Sequence, residues 1–286
     1  MLRVQVGAAL GGSRLDEFLR DALGLSRQRA KKLLDAGQVR VAGRVERMAG
    51  RAVLVGTRLE VSGLPAEEAP SGLDPSHILF QDEALVVVHK PALVNMHAVE
   101  VGDEVHLCAW LRALALAQGW PMEAGGPFVA SRLDRETSGV VALGLTRAAG
   151  RSLTTLYANH QAQKRYLARV HGAWEGEGEV DAPLRQASSG VMEVHPTGQA
   201  ALTRYRVLSC EGDEAWVSLW PQTGRTHQLR VHMASLGHPL VGDVLYGGRR
   251  REGVRRALLH SSRLDLPHPT TGEPCAWEAP LPSDMR

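Results

Sequence analysis

The sequence predicts an α+β protein in two parts, and three observations carry that expectation. Two consecutive stretches near the N-terminus have helical spacing and are followed by short alternating segments broken at glycines. Residues 63–76, GLPAEEAPSGLDPS, are rich in Pro, Gly, Ala and Glu and show no hydrophobic period, as befits a linker. Beyond them, apolar runs of strand length alternate with two helical stretches. Residues 1–63 therefore read as one domain, 64–76 as a linker and 77–286 as a second, larger domain.

In the first domain, SRLDEFLRDALGL from Ser13 places Leu15, Phe18, Leu19 and Ala22 on one helical face, with Ser13 as cap. A second helix, SRQRAKKLLDAG, is capped by Ser26 and stopped by Gly37. Its Ala30, Leu33 and Leu34 share one side, while Arg27, Gln28, Lys31 and Lys32 lie opposite, which makes a basic face beside a packed one. QVRVAG and RAVLVGTRLEVSG follow as small strands interrupted at Gly43, Gly50 and Gly56.

The second domain opens with HILFQDEALVVVHKPALVNMHA, two apolar runs around an acidic turn, a hairpin signal that ends where Pro91 stops strand pairing. VHLCAWLRALALAQ at 105–118 carries Leu107, Trp110, Leu111 and Leu114 at helical spacing, which predicts Trp110 on a buried face. Arg147 to His160 reads as another helix. The last segment has the signal of a two-strand hairpin with its turn at Thr271 and Gly272.

Composition limits the functional classes. Hydrophobic residues make up 44% and charged residues 22% of the chain, as in soluble globular proteins. The three cysteines, Cys108, Cys210 and Cys275, are widely spaced with no C-x-x-C pair, so neither a disulfide framework nor a cysteine zinc site is expected, and a reducing cytoplasm is. No run of 18 apolar residues appears, so no membrane association is expected. The net charge of +2 hides an asymmetry: residues 1–63 hold twelve Lys and Arg against six Asp and Glu, while the rest holds 21 against 25. A basic N-terminal module points to a polyanionic partner, because Lys and Arg near phosphates release counterions.

The chemistry is placed in SRLDRETSGVVALGLT, residues 131–146. Arg132 and Arg135 crowd Asp134 with positive charge, which would hold it ionised. Thr137, Ser138 and Gly139 read as a tight turn, and Val140 to Leu143 as a short buried strand. Read without further context, the same residues also fit an Asp neutralised in a loop.

This segment resembles the pattern H-R-L-D-x-x-T-S-G of RluA-type pseudouridine synthases, with Ser131 where the family usually has His. KRYLARVHG at 164–172 and PQTGRTHQLRVHMASLGHPLVGDVLYGG at 221–248 resemble further parts of that family, in the same order along the chain. Lys90, Pro91, Ala92 and His97 fit its K-P-A-G-x-x-x-H pattern, but the Gly is absent, which leaves the loop shape near Leu93 open. Ser26 to Gly43 resembles the RNA-binding module first described in ribosomal small-subunit protein four.

The resemblance implies a catalytic domain with a mixed, mainly antiparallel sheet flanked by helices and loops. It also implies isomerisation of uridine to pseudouridine in structured RNA, without metal or organic cofactor, by a monomer. Asp134 is then the nucleophile, acting either on the uracil ring or at the anomeric carbon. Tyr166 and Arg132 stack on the extruded base and fill its gap, and Arg230 forks onto the catalytic carboxylate. Arg27, Lys31, Lys32, Arg225 and His227 are assigned to RNA, with Arg225 near the first turn of a helix. Arg249, Arg250, Arg251, Arg255 and Arg256 form a second basic cluster suited to phosphates. Large-subunit ribosomal RNA is the preferred target and transfer RNA the alternative. The rival readings are a non-catalytic RNA-binding or ribosome-assembly protein, which has no need of Asp134, Tyr166 and Arg230 together, and a hydrolase, which would need a second acid/base carboxylate or a metal.

Overall fold

The computed structural model describes residues 2–6, 11–23, 27–62, 72–98 and 106–286. They gather into two compact units: one made of Met1–Glu68, Arg169–Val217 and Thr223–Leu258, the other of Ala69–Ala168, Ser218–Gln222 and Leu259–Arg286. The expected cap Ser26 and residues 63–71 of the expected linker lie outside the described residues.

In the first unit, strand β1 (Leu2–Gln5), helices α1 (Leu15–Leu23) and α2 (Arg27–Asp35), and strands β2 (Val39–Val41), β3 (Arg44–Val45) and β4 (Arg58–Val61) follow one another. The strands form an antiparallel sheet in the order β1-β4-β2-β3. The helical spacing is realised in packing: Leu15, Phe18 and Leu19 of α1 and Ala30, Leu33 and Leu34 of α2 are buried with Val39, Val41 and Leu59. Gln28, Lys31 and Lys32 are exposed on the other side of α2, and Arg27 opens that helix. One expectation is corrected here. Residues 51–56 form no strand, because Ala52 makes only an isolated bridge to Arg14 and the chain turns at Gly56, where φ is +82°. The partner of β4 on that side is β1, a strand of four residues too short for its periodicity to stand out in the sequence.

The chain continues through β5 (Ile78–Gln81), β6 (Leu85–Lys90), α3 (Leu107–Gln118), β7 (Phe128–Val129), β8 (Ser138–Gly144), α4 (Arg147–Ala158) and β9 (Gln163–His171). There follow β10 (Glu177–Asp181), β11 (Leu184–Gln186), β12 (Met192–Val194), β13 (Leu202–Glu211), β14 (Glu214–Pro221), α5 (Gln228–Ser235), β15 (Leu259–Pro267) and β16 (Pro274–Glu278). In the first unit β10, β13 and β14 are neighbours, and β11 and β12 form a hairpin.

The second unit is built on the strand order β9-β15-β8-β6-β5, with β16 on β15 and β7 on β8. β8 and β15 run parallel and the other neighbours run antiparallel, so the sheet is mixed and mainly antiparallel, as expected. Leu153 of α4 packs on Leu85 and Val87 of β6, Val140 and Ala142 of β8, and Leu264 and Leu266 of β15. At about 2 kcal/mol for each fully buried Leu, this contact ties α4 to the strand leaving the 131–137 loop. In α3 the buried residues are Leu107, Cys108, Leu111 and Ala115, while Trp110 is only partly covered. The buried stripe is thus rotated from the one expected. Cys108 and Ala115 occupy the tight side because they are small, and the bulk of Trp110 sits at the margin.

Candidate active site

Asp134 lies on the loop that leads into β8 and is partly buried; Arg132 and Arg135 are exposed beside it. The turn begins three residues earlier than expected: Thr137 N–H donates to Asp134 O, so residues 134–137 close it, and Ser138 and Gly139 already belong to the strand. Gly139 is required by tertiary contact. Its φ is +115°, and a Cβ there would sit on the carbonyl oxygen of Ser261 in the parallel strand β15. Gly139→Ala is expected to cost about 2–3 kcal/mol of stability through overpacking and strain. Urea unfolding measures it, and a loss below about 0.5 kcal/mol would show that β8 and β15 separate easily.

The other end of the loop is tied to β6. Lys90 is fully buried, and its ammonium donates to Pro91 O at 2.9 Å, Val94 O at 2.8 Å and Arg135 O at 3.3 Å. Three carbonyls thus receive an N–H from a charge that would otherwise be costly to bury. In the sequence Lys90 stands in the K-P-A motif with no role of its own, and the signal for one is a Lys closing the apolar run LVVVH. Leu93, where the family pattern has Gly, has a φ of +66°, so the left-handed turn is kept without glycine. Ser138 Oγ lies 2.9 Å from Nδ1 of the buried His260, which anchors the start of β8 to β15 a second time.

Register brings Tyr166 to this loop. Ser261 pairs with Tyr166 of β9 on one side and with Gly139 of β8 on the other. Tyr166 is 8% exposed, and its phenol pairs with the Ser261 side chain. Burial, and then the charge of Asp134, push the Tyr166 pKa up; the Ser261 bond opposes the shift but does not cancel it. Tyr157 of α4 is likewise pushed up by burial and by Tyr166, against a hydrogen bond from Ser131. Ser131, the departure from the family pattern, is therefore engaged with a helix residue. Of the four tyrosines, Tyr157 and Tyr166 are expected to stay un-ionised above the ordinary value of about 10, because burial disfavours the phenolate. A phenolate absorbance titration checks this, with Tyr166→Phe removing one late-titrating group. Ionisation of all four near the ordinary value would contradict it.

Arg230 lies in the first unit, on α5, and is buried. Its Nε and Nη2 donate to Asp243 Oδ2 and Oδ1, both at 2.7 Å, so the expectation that this fork meets Asp134 is corrected: the carboxylate it grips is that of Asp243, 13 residues on and buried with it, and the guanidinium sits 5.1 Å from the centre of the Tyr246 ring. Asp243 was not singled out from the sequence, although it stands in the quoted GDVLYGG stretch. His227 Nδ1 lies 2.7 Å from Tyr246 Oη, and His227 itself has a φ of +53° at the start of α5. Arg225 is exposed in the loop that enters the helix, three residues before its first turn, where its Nε donates to Ala200 O. The chain stays out of helix there because Gln228 Oε1 accepts from the Arg225 N–H and the Thr223 hydroxyl, capping the turn with a side chain.

His227, His232 and His238 have separate partners: His232 contacts Thr203 Oγ1 and Ala182 O, and His238 contacts His171 O. Among the described residues no group of three His, Cys, Asp or Glu is placed to hold a metal ion. The 249–256 arginines do not form one open basic surface, as a cluster suited to phosphates would. Arg256 is buried and donates to Ala257 O, while Arg249 and Arg251 pair with Asp213 and Glu214. Among the described residues no helix is long and apolar enough to cross a membrane.

A mixed sheet that presents a carboxylate loop beside a buried tyrosine defines a candidate catalytic domain, and the comparisons say of which kind. The family model for RNA pseudouridylate synthase matches residues 84–235. The uncharacterized RNA pseudouridine synthase YjbO of Bacillus subtilis is 39% identical over 216 residues, which is 74% of each chain. The ribosomal large subunit pseudouridine synthase D of Haemophilus influenzae is 31% identical over 96% of this chain and 89% of its own. Among solved structures, human RNA pseudouridylate synthase domain containing 4 matches with a TM-score of 0.60 and 28% identity, over 73% of this chain and 90% of that one. The chain belongs to the RNA pseudouridine synthase family, in its RluA-type branch, and is an isomerase.

Proposed function

We propose that the protein converts uridine to pseudouridine in large-subunit ribosomal RNA, with Asp134 as nucleophile. The observation that supports this most is the position of Asp134 on the loop entering β8, electrostatically coupled to Tyr166. The isomerisation breaks the bond from uracil N1 to the sugar, retains and turns the base, and joins C5 to the same sugar carbon. The C5 proton is lost and N1 gains one, so atoms balance without a co-reactant. Asp134 acts on the ring or at the anomeric carbon. Tyr166, held neutral, stacks on the extruded uracil, and Arg132, exposed on the same loop, fills the gap it leaves. Arg230 assists as the third catalytic residue, in an orientation held by Asp243.

The target follows the name of the Haemophilus influenzae relative, a ribosomal large subunit pseudouridine synthase. Pseudouridine mapping of total RNA from a strain lacking the gene tests it: one or more large-subunit sites should revert to uridine. Loss confined to transfer RNA would replace the target, and an unchanged map would remove the reading.

Residues 1–63 serve as the RNA-binding module, with Arg27, Lys31 and Lys32 on its basic helix and with Arg225 and His227 as further RNA contacts. Reversing the exposed pair, Lys31→Glu with Lys32→Glu, is expected to reduce the slope of log affinity against log salt by about 1–2, because each lost phosphate contact removes just under one released counterion. Turnover at saturating RNA should change little. A salt series with an unchanged slope would take these lysines out of the interface.

A further inference from the structure

Within the second unit, away from the Asp134 loop along the sheet, the start of β9, the β15–β16 hairpin and the end of β14 enclose an open pocket of about 570 Å³. Its cations are Lys164, Arg165 and Arg263, set against Asp265. The charges are largely mutually balanced. Arg263 forks onto Asp265, and Arg165 and Arg263 both reach Glu278, at 3.3 and 3.0 Å. Lys164 lies over the Tyr157 ring, 5.8 Å from its centre. A surface of this kind is poorly suited to a run of phosphates, which calls for unpaired cations.

What the pocket offers besides charge is an aromatic wall, Trp220, and two side-chain amides, Gln161 and Gln163. An indole face stacks on any base, and an amide both donates to and accepts from a base edge. Because Gln163 pairs with Asp265 three positions before Tyr166 pairs with Ser261, the pocket is roughly 10 Å along β9 from the reaction centre at about 3.3 Å per residue. That is within reach of nucleotides flanking a target base. Nothing in the proposed chemistry uses these residues.

We propose that this pocket is a second nucleotide site, which holds one unpaired base of the RNA on Trp220, with Gln161 and Gln163 at its edge and Arg165 at its phosphate. The proposal rests on the RNA-modifying reading but not on the identity of the target. It makes the pocket a determinant of which sequence context around the modified uridine is accepted.

Cys275 lines the same pocket, whereas the exposed Cys210 lies in the other unit and Cys108 is buried. The test follows alkylation of the full-length protein by iodoacetamide, with mass spectrometry resolving each cysteine. Burial, and then Glu273 and Asp82, push the Cys275 thiol up, so the rate is read at mildly alkaline pH. The probe is single-stranded oligoadenylate, which contains no uridine, so the outcome is independent of isomerisation. Saturating oligoadenylate should slow Cys275 alkylation about tenfold and leave Cys210 unchanged, and Trp220→Ala should raise the concentration needed about tenfold, the scale of one lost stacking contact. Arg165→Gln supplies a second variant, expected to weaken protection without removing it. No protection of Cys275 at concentrations where fluorescence anisotropy shows the RNA bound would overturn the proposal. So would equal protection by inorganic polyphosphate, which has charge but no base, or unaltered protection in Trp220→Ala with its fold intact by circular dichroism.

Discussion

Asp134→Asn should lower single-turnover pseudouridine formation by at least about a thousandfold, which is roughly 4 kcal/mol of barrier, while RNA affinity stays within a few-fold. The substitution keeps shape and most hydrogen bonding but removes the charge that a nucleophile needs. Stability should change little, since Asp134 is only partly buried and its main-chain bond to Thr137 does not depend on the carboxylate. A loss below about tenfold would remove Asp134 from the nucleophile's role. A large loss in affinity with normal turnover would make it an RNA-positioning residue instead. The chain's membership of the synthase family would stand in either case, since it rests on similarity along most of the sequence.

Asp243→Ala is expected to destabilise the protein by about 3–5 kcal/mol, because it strips a bidentate partner from a buried guanidinium. Arg230 is 6% and Asp243 1% exposed, so water cannot replace the lost carboxylate without opening the structure. Asp243→Asn should recover part of that loss, since the amide oxygen still accepts one bond. Equilibrium unfolding in urea separates the two, and a loss below about 1 kcal/mol in the Ala variant would mean that other groups satisfy Arg230. Activity adds a second measurement. If Asp243 holds Arg230 for catalysis, Asp243→Asn should lower turnover more than RNA affinity, and Arg230→Lys should do the same by keeping the charge while losing the fork.

The two sites differ in how far they were legible. Asp134, Arg132 and Tyr166 were picked out because they stand in compact patterns, and the parallel register of β8 with β15 then places Ser261 between Tyr166 and Gly139. Gly139 itself was misread. Thr-Ser-Gly has turn composition, yet the glycine is needed for the close approach of a strand more than a hundred residues later in the chain. Asp243 was passed over for a similar reason: an Asp in a loop carries no sign of the guanidinium it will meet, and the 13-residue separation from Arg230 matches no local spacing. Lys90 looked like the end of a strand and proved also to be a buried tie to the loop that carries Asp134. Trp110 had the right helical position for burial, but small neighbours at Cys108 and Ala115 set which side of α3 packs closest.

By itself the sequence determined the elements whose information is local. The amphipathic faces of α1 and α2, the helix over 147–158, the hairpins around Asp82–Ala84 and Gly272, and the basic side of α2 all follow from spacing within one or two turns or strands. Its motif order also identified the branch of the family, and through it the mixed character of the sheet. Only the tertiary structure decided which polar groups meet inside. Lys90 with Arg135, Ser138 with His260, and Arg230 with Asp243 are such meetings, as are the burial that raises the Tyr166 pKa and the Trp220 pocket assembled from four strands. The physical reason is range. Backbone preference and hydrophobic period act over a few residues, whereas the cost of burying a charge or a phenol is set by whatever groups the completed fold brings within about 3 Å of it.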